Sequence, residues 1–157
     1  MGRLKELQNH VDYELELLPD PKLRISAAAH LYGVSLAATV LAARRGVDPE
    51  LASMAAMLHD LHAYRSGSYD DHAAKGAVLA REILDTLRLT TPEETDAICS
   101  AIAHHDSKYD VDSPLDEVLK DADVVHHCMN DLSKPVKDKE RARFRRLCQE
   151  LGMETES

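Results

Sequence analysis

Leu51-Ala52-Ser53-Met54-Ala55-Ala56-Met57-Leu58-His59-Asp60 is an apolar run that ends on an imidazole beside a carboxylate. Leu51, Met54, Ala55 and Leu58 recur at helical spacing. Asp48-Pro49-Glu50 ahead of them reads as an N-cap followed by proline at the first helical position. The helix is expected to end in the polar stretch Tyr64-Arg65-Ser66-Gly67-Ser68. His59 and Asp60 offer one neutral nitrogen and one anionic oxygen from a single helix end, a mixed donor set that divalent first-row metals accept. Alone, the dipeptide reads equally as a surface or capping pair.

Helical spacing extends in both directions from this run. Leu4, Leu7, Val11, Leu15 and Leu18 give a first helix that ends before Pro19-Asp20-Pro21. A second runs from Lys22 to about Arg45, with Leu31, Val34, Ala38 and Leu41 on one side and Gly46 as its stop. After the His-Asp run, Asp70 or Asp71 caps a fourth helix carrying Ala74, Val78, Ile83 and Leu87. Thr91-Pro92-Glu93-Glu94 starts a fifth, with Ile98 and Ile102, which runs into His104-His105-Asp106. Ser113-Pro114 starts a sixth with Leu115, Val118, Leu119, Ala122 and Val125. A charged C-terminal helix follows Ser133-Lys134-Pro135, with Phe144, Leu147 and Leu151 on its apolar side. No alternating strand pattern or internal repeat interrupts this. The expectation is one all-α domain over residues 1–157, a bundle of about six to seven helices, with a core over 22–131 and a C-terminal helix over 135–151.

Composition agrees with packed helices. The 157 residues are 44% hydrophobic, with one Phe, five Tyr and no Trp, so Ala, Leu, Val, Ile and Met must build the core. Lys and Arg number 19 against 28 Asp and Glu, a net charge of -9 that argues against a nucleic-acid partner, whose affinity would rest on basic phosphate contacts. No apolar run is expected to reach the roughly 20 residues of a bilayer span, so no membrane partner is expected. Met1-Gly2-Arg3-Leu4-Lys5-Glu6 turns charged at once, which predicts no signal peptide. Cys99, Cys128 and Cys148 are odd in number and widely spaced, as reduced thiols of a cytoplasmic protein would be.

Nine histidines are the unusual count. His30 lies among small residues in Ala27-Ala28-Ala29-His30-Leu31 and reads as a core histidine or as a ligand that a second helix can approach closely. Asp121-Ala122-Asp123 sits mid-helix, where acids are unfavourable to bury unless paired or coordinating; a solvated face is the alternative. Asp123 and His127, one turn apart, form a competing local pair. His72 opens the fourth helix and His104-His105 closes the fifth, each compatible with a capping role. His10 and His62 look ordinary, and His126 and His127 suit groups that support a ligand.

Taken in order, His30, His59-Asp60, His72, His104-His105 and Asp123 resemble the HD-domain superfamily of metal-dependent phosphohydrolases. The resemblance runs from about Lys22 to Asp131. It is most specific in Ala56-Met57-Leu58-His59-Asp60-Leu61, Asp71-His72-Ala73-Ala74-Lys75-Gly76-Ala77 and Lys120-Asp121-Ala122-Asp123. It implies an all-helical fold in which separate helices bring one metal to His30, His59, Asp60 and Asp123, with His59 and Asp60 at the catalytic centre. Asp123 suits the last position better than Asp121, because the superfamily's acid follows a small residue and precedes an apolar pair. The further histidines resemble the binuclear branch, in which Asp60 would bridge to a second metal on His72, His104 and His105. The HD-GYP phosphodiesterases carry Gly-Lys after the His-Asp pair and Gly-Tyr-Pro after the paired histidines. Here Leu61-His62-Ala63-Tyr64 and Asp106-Ser107-Lys108-Tyr109 stand instead, which favours a small stand-alone hydrolase over a cyclic-dinucleotide enzyme.

The implied chemistry is hydrolysis of a nucleotide or small phosphate ester by water activated on one or two divalent ions; a site of imidazole and carboxylate suits Mn, Fe, Zn, Co or Ni. Arg65, Lys75 and Lys108 lie close in sequence to candidate ligands and are candidates for substrate phosphate, or else exposed solubilising charges. The alternative is a non-catalytic metal- or nucleotide-binding module on the same fold. The basic stretch Lys137 to Arg146 suits either a partner contact or an amphipathic helix packed on its own domain or on a dimer mate, and a homodimer is compatible with a helical domain of this size.

Overall fold

Helix starts fall where a short polar side chain precedes proline. At Asp20-Pro21, Asp48-Pro49, Thr91-Pro92 and Ser113-Pro114 the polar side chain accepts a hydrogen bond from a backbone N–H two or three residues on. Proline takes the first helical position, where an N–H would have no partner. At Thr91 the cap is reciprocal, because the Glu94 carboxylate accepts from the Thr91 N–H. Each such cap contributes about 1 kcal/mol.

The computed structural model describes residues 1–154; positions 155–157 of the expected domain lie outside the described residues. In chain order the helices are α1 Arg3–Glu16, α2 Pro21–Arg45, α3 Pro49–Leu58, α4 Leu61–Ser66, α5 His72–Leu87, α6 Pro92–His104, α7 Pro114–Met129 and α8 Arg141–Leu151. A single 3₁₀ turn, Asp138–Glu140, precedes α8, and no strand occurs among the described residues. Among the described residues the fold is all-α, with eight α-helices where six to seven were expected.

Three local expectations are corrected. The run from Leu51 toward Tyr64 is two helices, because Asp60 leaves helical geometry at φ -113, ψ 3. Asp71 stands before α5 in the left-handed region (φ 52) with no side-chain capping bond, and Asp70 is not the residue at the cap either. The segment after Pro135 becomes helical at the 3₁₀ turn and α-helical at Arg141.

α2 packs lengthwise against α3 and α7, α5 lies on α6, and α8 lies on α7. Ala27, Ala38, Ala42, Ala52, Ala55, Ala56, Ala101 and Ala122 are wholly buried, which lets helix axes approach closely. Contrary to expectation, α2 is long and apolar enough to cross a bilayer by length and composition, with a mean hydropathy of 1.5 over 18 residues. The cause is its run of alanines with few charges. In the fold Leu31, Val34, Ala38 and Leu41 of this helix are core residues.

The basic C-terminal stretch packs on its own domain. Arg143 is buried, and its guanidinium donates to Glu117, to Asp121 and to the carbonyls of Lys108 and Asp110. Arg45 pairs with Asp121 at 2.8 Å from the other side. Asp121 is thereby held by two arginines and Asp123, two residues on, faces the interior.

Candidate metal centre

The break between α3 and α4 turns His59 and Asp60 toward His30 of α2 and Asp123 of α7. Asp60 occupies the position before α4 yet makes no capping bond. Its Oδ2 lies 3.1 Å from His30 Nε2 and 3.3 Å from His59 Nε2. Asp123 Oδ1 lies 3.3 Å and 3.4 Å from the same two nitrogens, which are 3.1 Å from each other. All four residues are buried. Donors bonded to a first-row ion at about 2.0–2.1 Å are separated by about 3.3 Å in a tetrahedron, so these spacings fit such an ion.

Asp60 Oδ1 faces a second group. It lies 3.3 Å from His105 Nε2 and 3.6 Å from His72 Nε2, and those nitrogens are 3.2 Å apart. One carboxylate thus stands between two imidazole pairs. Asp60 Oδ1 and Asp123 Oδ1 are both buried without a hydrogen-bond partner, a state that a bound ion or water would relieve.

Main-chain geometry sets three of the rings. The Nδ1–H of His59 donates to the Ala56 carbonyl, that of His72 to the Tyr69 carbonyl and that of His105 to the Ile102 carbonyl, at 2.6, 3.0 and 2.7 Å. Each histidine's own backbone N–H donates to that same carbonyl. With Nδ1–H committed, Nε2 presents its lone pair to the centre.

Electrostatics express a demand for positive charge. Burial alone would depress His59, but Asp60 and Asp123 outweigh it and push the imidazole up to about 10. His30 is raised against its burial by the same carboxylates. His105 faces Asp60 alone at this distance, and there burial prevails and lowers it. Both carboxyls stay well below the usual range despite burial, Asp60 beside His59 and Asp123 beside Lys108. Burial, with His30 and His127 alongside, lowers His126 to about 4.

Two groups of expected residues are placed elsewhere. His104 leaves the Asp60 group: its Nδ1 lies 2.8 Å from Asp116 Oδ2 and its side chain is 45% exposed. Consecutive residues at a helix end point about 100° apart, so seating His105 inward turns His104 toward α7. Arg65 and Lys75 line a separate cleft with His62, Ser66 and Val78. Lys108 does reach the centre but as a buried partner: its ammonium donates to Asp123 Oδ2 at 2.8 Å and to the His105 carbonyl at 2.6 Å.

A cavity of about 430 Å³ opens above the centre, lined by His30, Asp60, His72, His105 and Asp123, with Lys108 and His127. Tyr64 and Tyr69 form one side, and Lys137, Lys139 and Glu140 come from the segment ahead of α8. Sequence reading missed these walls as site residues, because no spacing rule links the C-terminal segment to ligands many residues earlier. His127, placed behind the ligands by sequence, has Nδ1 3.2 Å from both Glu140 oxygens and Nε2 3.5 Å from Asp123 Oδ1.

The model of the HD domain matches residues 27–127, most of the chain. The chain belongs to the HD-domain family. HD domains typically bind divalent metals, and the two His/Asp groups that share Asp60 could hold them; His104, Asp112 and Asp116 form a third such group apart from these. The HD fold extends beyond the matched segment. A crystal structure of a predicted HD superfamily hydrolase from an uncultured Thermotogales bacterium superposes with a TM-score of 0.66, over 96% of this chain and 90% of that one, at 24% identity. Among curated proteins, none matches this HD domain.

Proposed function

We propose that this HD domain is a metal-dependent phosphohydrolase acting on a nucleotide or small phosphate ester. The observation that carries it is Asp60, whose two oxygens face two separate sets of imidazole nitrogens. His30, His59, Asp60 and Asp123 would hold one ion; Asp60, His72 and His105 would hold a second. A divalent ion there would make hydroxide available at neutral pH, by lowering the pKa of water toward about 7, and would offset charge on a phosphoryl oxygen.

The chain's own groups then divide the remaining work. Lys108 holds Asp123 in place and offsets part of the buried negative charge. Lys137 and Lys139 stand at the cavity wall where a phosphoryl group can meet an ammonium, and Tyr64 and Tyr69 give an organic leaving group an apolar side. Glu140 orients His127, so that its Nε2 faces the reacting region and can hold a hydrogen bond to substrate.

The test is a panel of nucleoside monophosphates, simple phosphomonoesters and phosphodiesters with Mn, Fe, Co, Ni or Zn. Turnover abolished in folded His59→Ala and Asp123→Ala variants supports the assignment; full activity in either sinks it. Metal-dependent thermal stabilisation with no turnover on any class would instead assign a non-catalytic binding module.

Replacing both Lys137 and Lys139 by alanine is expected to raise KM about tenfold, since Lys139 is already paired with Asp106 at 2.7 Å and one charged hydrogen bond to substrate is worth about 1.5 kcal/mol. Lys75→Ala is expected to leave KM unchanged, because Lys75 lies in the separate cleft. Steady-state kinetics on the preferred substrate decide it, and an effect of Lys75 as large as that of the pair would contradict the placement.

A further inference from the structure

His30 differs from the other imidazoles that face Asp60. His59, His72 and His105 lie at helix ends, where the carbonyl three residues back is available to the ring N–H. His30 sits in the interior of α2, where preceding carbonyls are taken up by the helix ladder. Its ring must find another partner, and the partner is a side chain: His30 Nδ1 lies 2.8 Å from Nδ1 of His126 on α7.

Gly33 makes that approach open. It lies one turn after His30 on the same face of α2. A Cβ there would stand 2.3 Å from His126 Cδ2 and 2.8 Å from His126 Nε2. No side chain can occupy position 33 while the His126 ring lies across it. The glycine has helical backbone geometry, so its role is the space it leaves.

We propose that His126, seated in the notch at Gly33, is a positioning residue that fixes His30 as a metal ligand. His30 Nδ1–H donates to His126 Nδ1, and this leaves His30 Nε2 as the lone pair aimed between Asp60 Oδ2, Asp123 Oδ1 and His59. His126 performs by side chain what the Ala56, Tyr69 and Ile102 carbonyls perform for the other three rings. Metal-binding histidines commonly depend on such a partner, whose loss weakens the site roughly 10- to 100-fold. The inference rests on the metal-centre reading above.

The test uses a His72→Ala background, which disables the second group so that one site is titrated. Zinc affinity is measured by competition with a chromophoric chelator, and the melting temperature of each metal-free protein is recorded beside it. Adding His126→Leu is expected to weaken zinc binding roughly 10- to 100-fold. Gly33→Ala, which displaces the ring, is expected to act in the same direction. His126→Asn, whose amide oxygen can accept at the place of Nδ1, is expected to restore binding to within a few-fold of the background. A structural role alone would lower the metal-free melting temperature in all three and would give no rescue by asparagine. Unchanged affinity in His126→Leu, or an asparagine variant as weak as leucine, overturns the proposal. A background protein that binds zinc no better than its His59→Ala counterpart overturns the metal-centre reading, and the inference falls with it.

Discussion

Asp60→Asn is expected to leave a folded protein that holds no metal tightly at either group and has lost about 10³-fold or more in turnover. The substitution keeps the side-chain volume but replaces one carboxylate oxygen by an NH₂ donor. That donor meets imidazole nitrogens where a cation would otherwise sit, and the carboxylate charge shared by the two groups is gone. Losing several kcal/mol of charge stabilisation in the transition state corresponds to about 10³-fold in rate at 1.36 kcal/mol per decade. His72→Ala removes a ligand from one group alone, so elemental analysis should read about two, one and no ions per chain for the parent, His72→Ala and Asp60→Asn. Equal ion content in the parent and both variants, or two ions retained in Asp60→Asn, would contradict the placement of Asp60 between the groups.

Removing metal is expected to lower the melting temperature by about 5 to 10 °C at pH 8.5 and by far less at pH 5.5. An ion at 100 times its Kd adds about 2.7 kcal/mol, and a chain of this size moves about 2–4 °C per kcal/mol. The pH dependence follows from His59. Its folded value, about 10, lies above its ordinary 6.5, so in metal-free protein its contribution is fully present below about 6.5 and is lost as pH rises through 10. Asp60 and Asp123 are depressed, so their contribution is present above about 4 and is lost as pH falls through their folded values. Below about pH 10 the metal-free protein keeps the proton that faces two buried carboxylates, and a bound ion would displace it and supply that charge instead. Binding competes with that proton, and apparent affinity rises by up to about tenfold per pH unit as pH rises toward about 10. Thermal melts with and without chelator at the two pH values measure it. A difference of the same size at both would show that no proton is displaced and that His59 is not a ligand.

Local chemistry made the helix starts readable, since Asp48-Pro49, Thr91-Pro92 with Glu94 and Ser113-Pro114 act through neighbours two or three residues away. The break at Asp60 was not readable. Apolar spacing continues through Leu61, and what bends the chain is a carboxylate engaged by residues of other helices. The structure seats Asp123 among the candidate ligands and gives Asp121 to Arg45 and Arg143. His30, His59, Asp60, His72, His105 and Asp123 come together as the sequence order implied. His104 does not, because adjacency in a helix separates directions. Nearness in sequence does not fix where a cation lies: Lys108 reaches the centre, Arg65 is five residues from Asp60 and lines another cleft, and Lys139 is sixteen residues from Asp123 and lines the cavity. In a bundle, which turn faces which helix decides more than the distance along the chain.

The segment that follows α7 has a consequence for how such a protein can diversify. Every imidazole and carboxylate of the two candidate ion groups lies between residues 30 and 123, whereas Lys137, Lys139 and Glu140 reach the cavity from beyond the last of them. Part of the wall that would choose the substrate is thus written beyond the stretch that would do the chemistry. Substitution at Lys137 or Lys139 can therefore retune selectivity in one step, while Arg143 beyond them keeps Lys108 and Asp121 in place and the reactive centre is inherited intact.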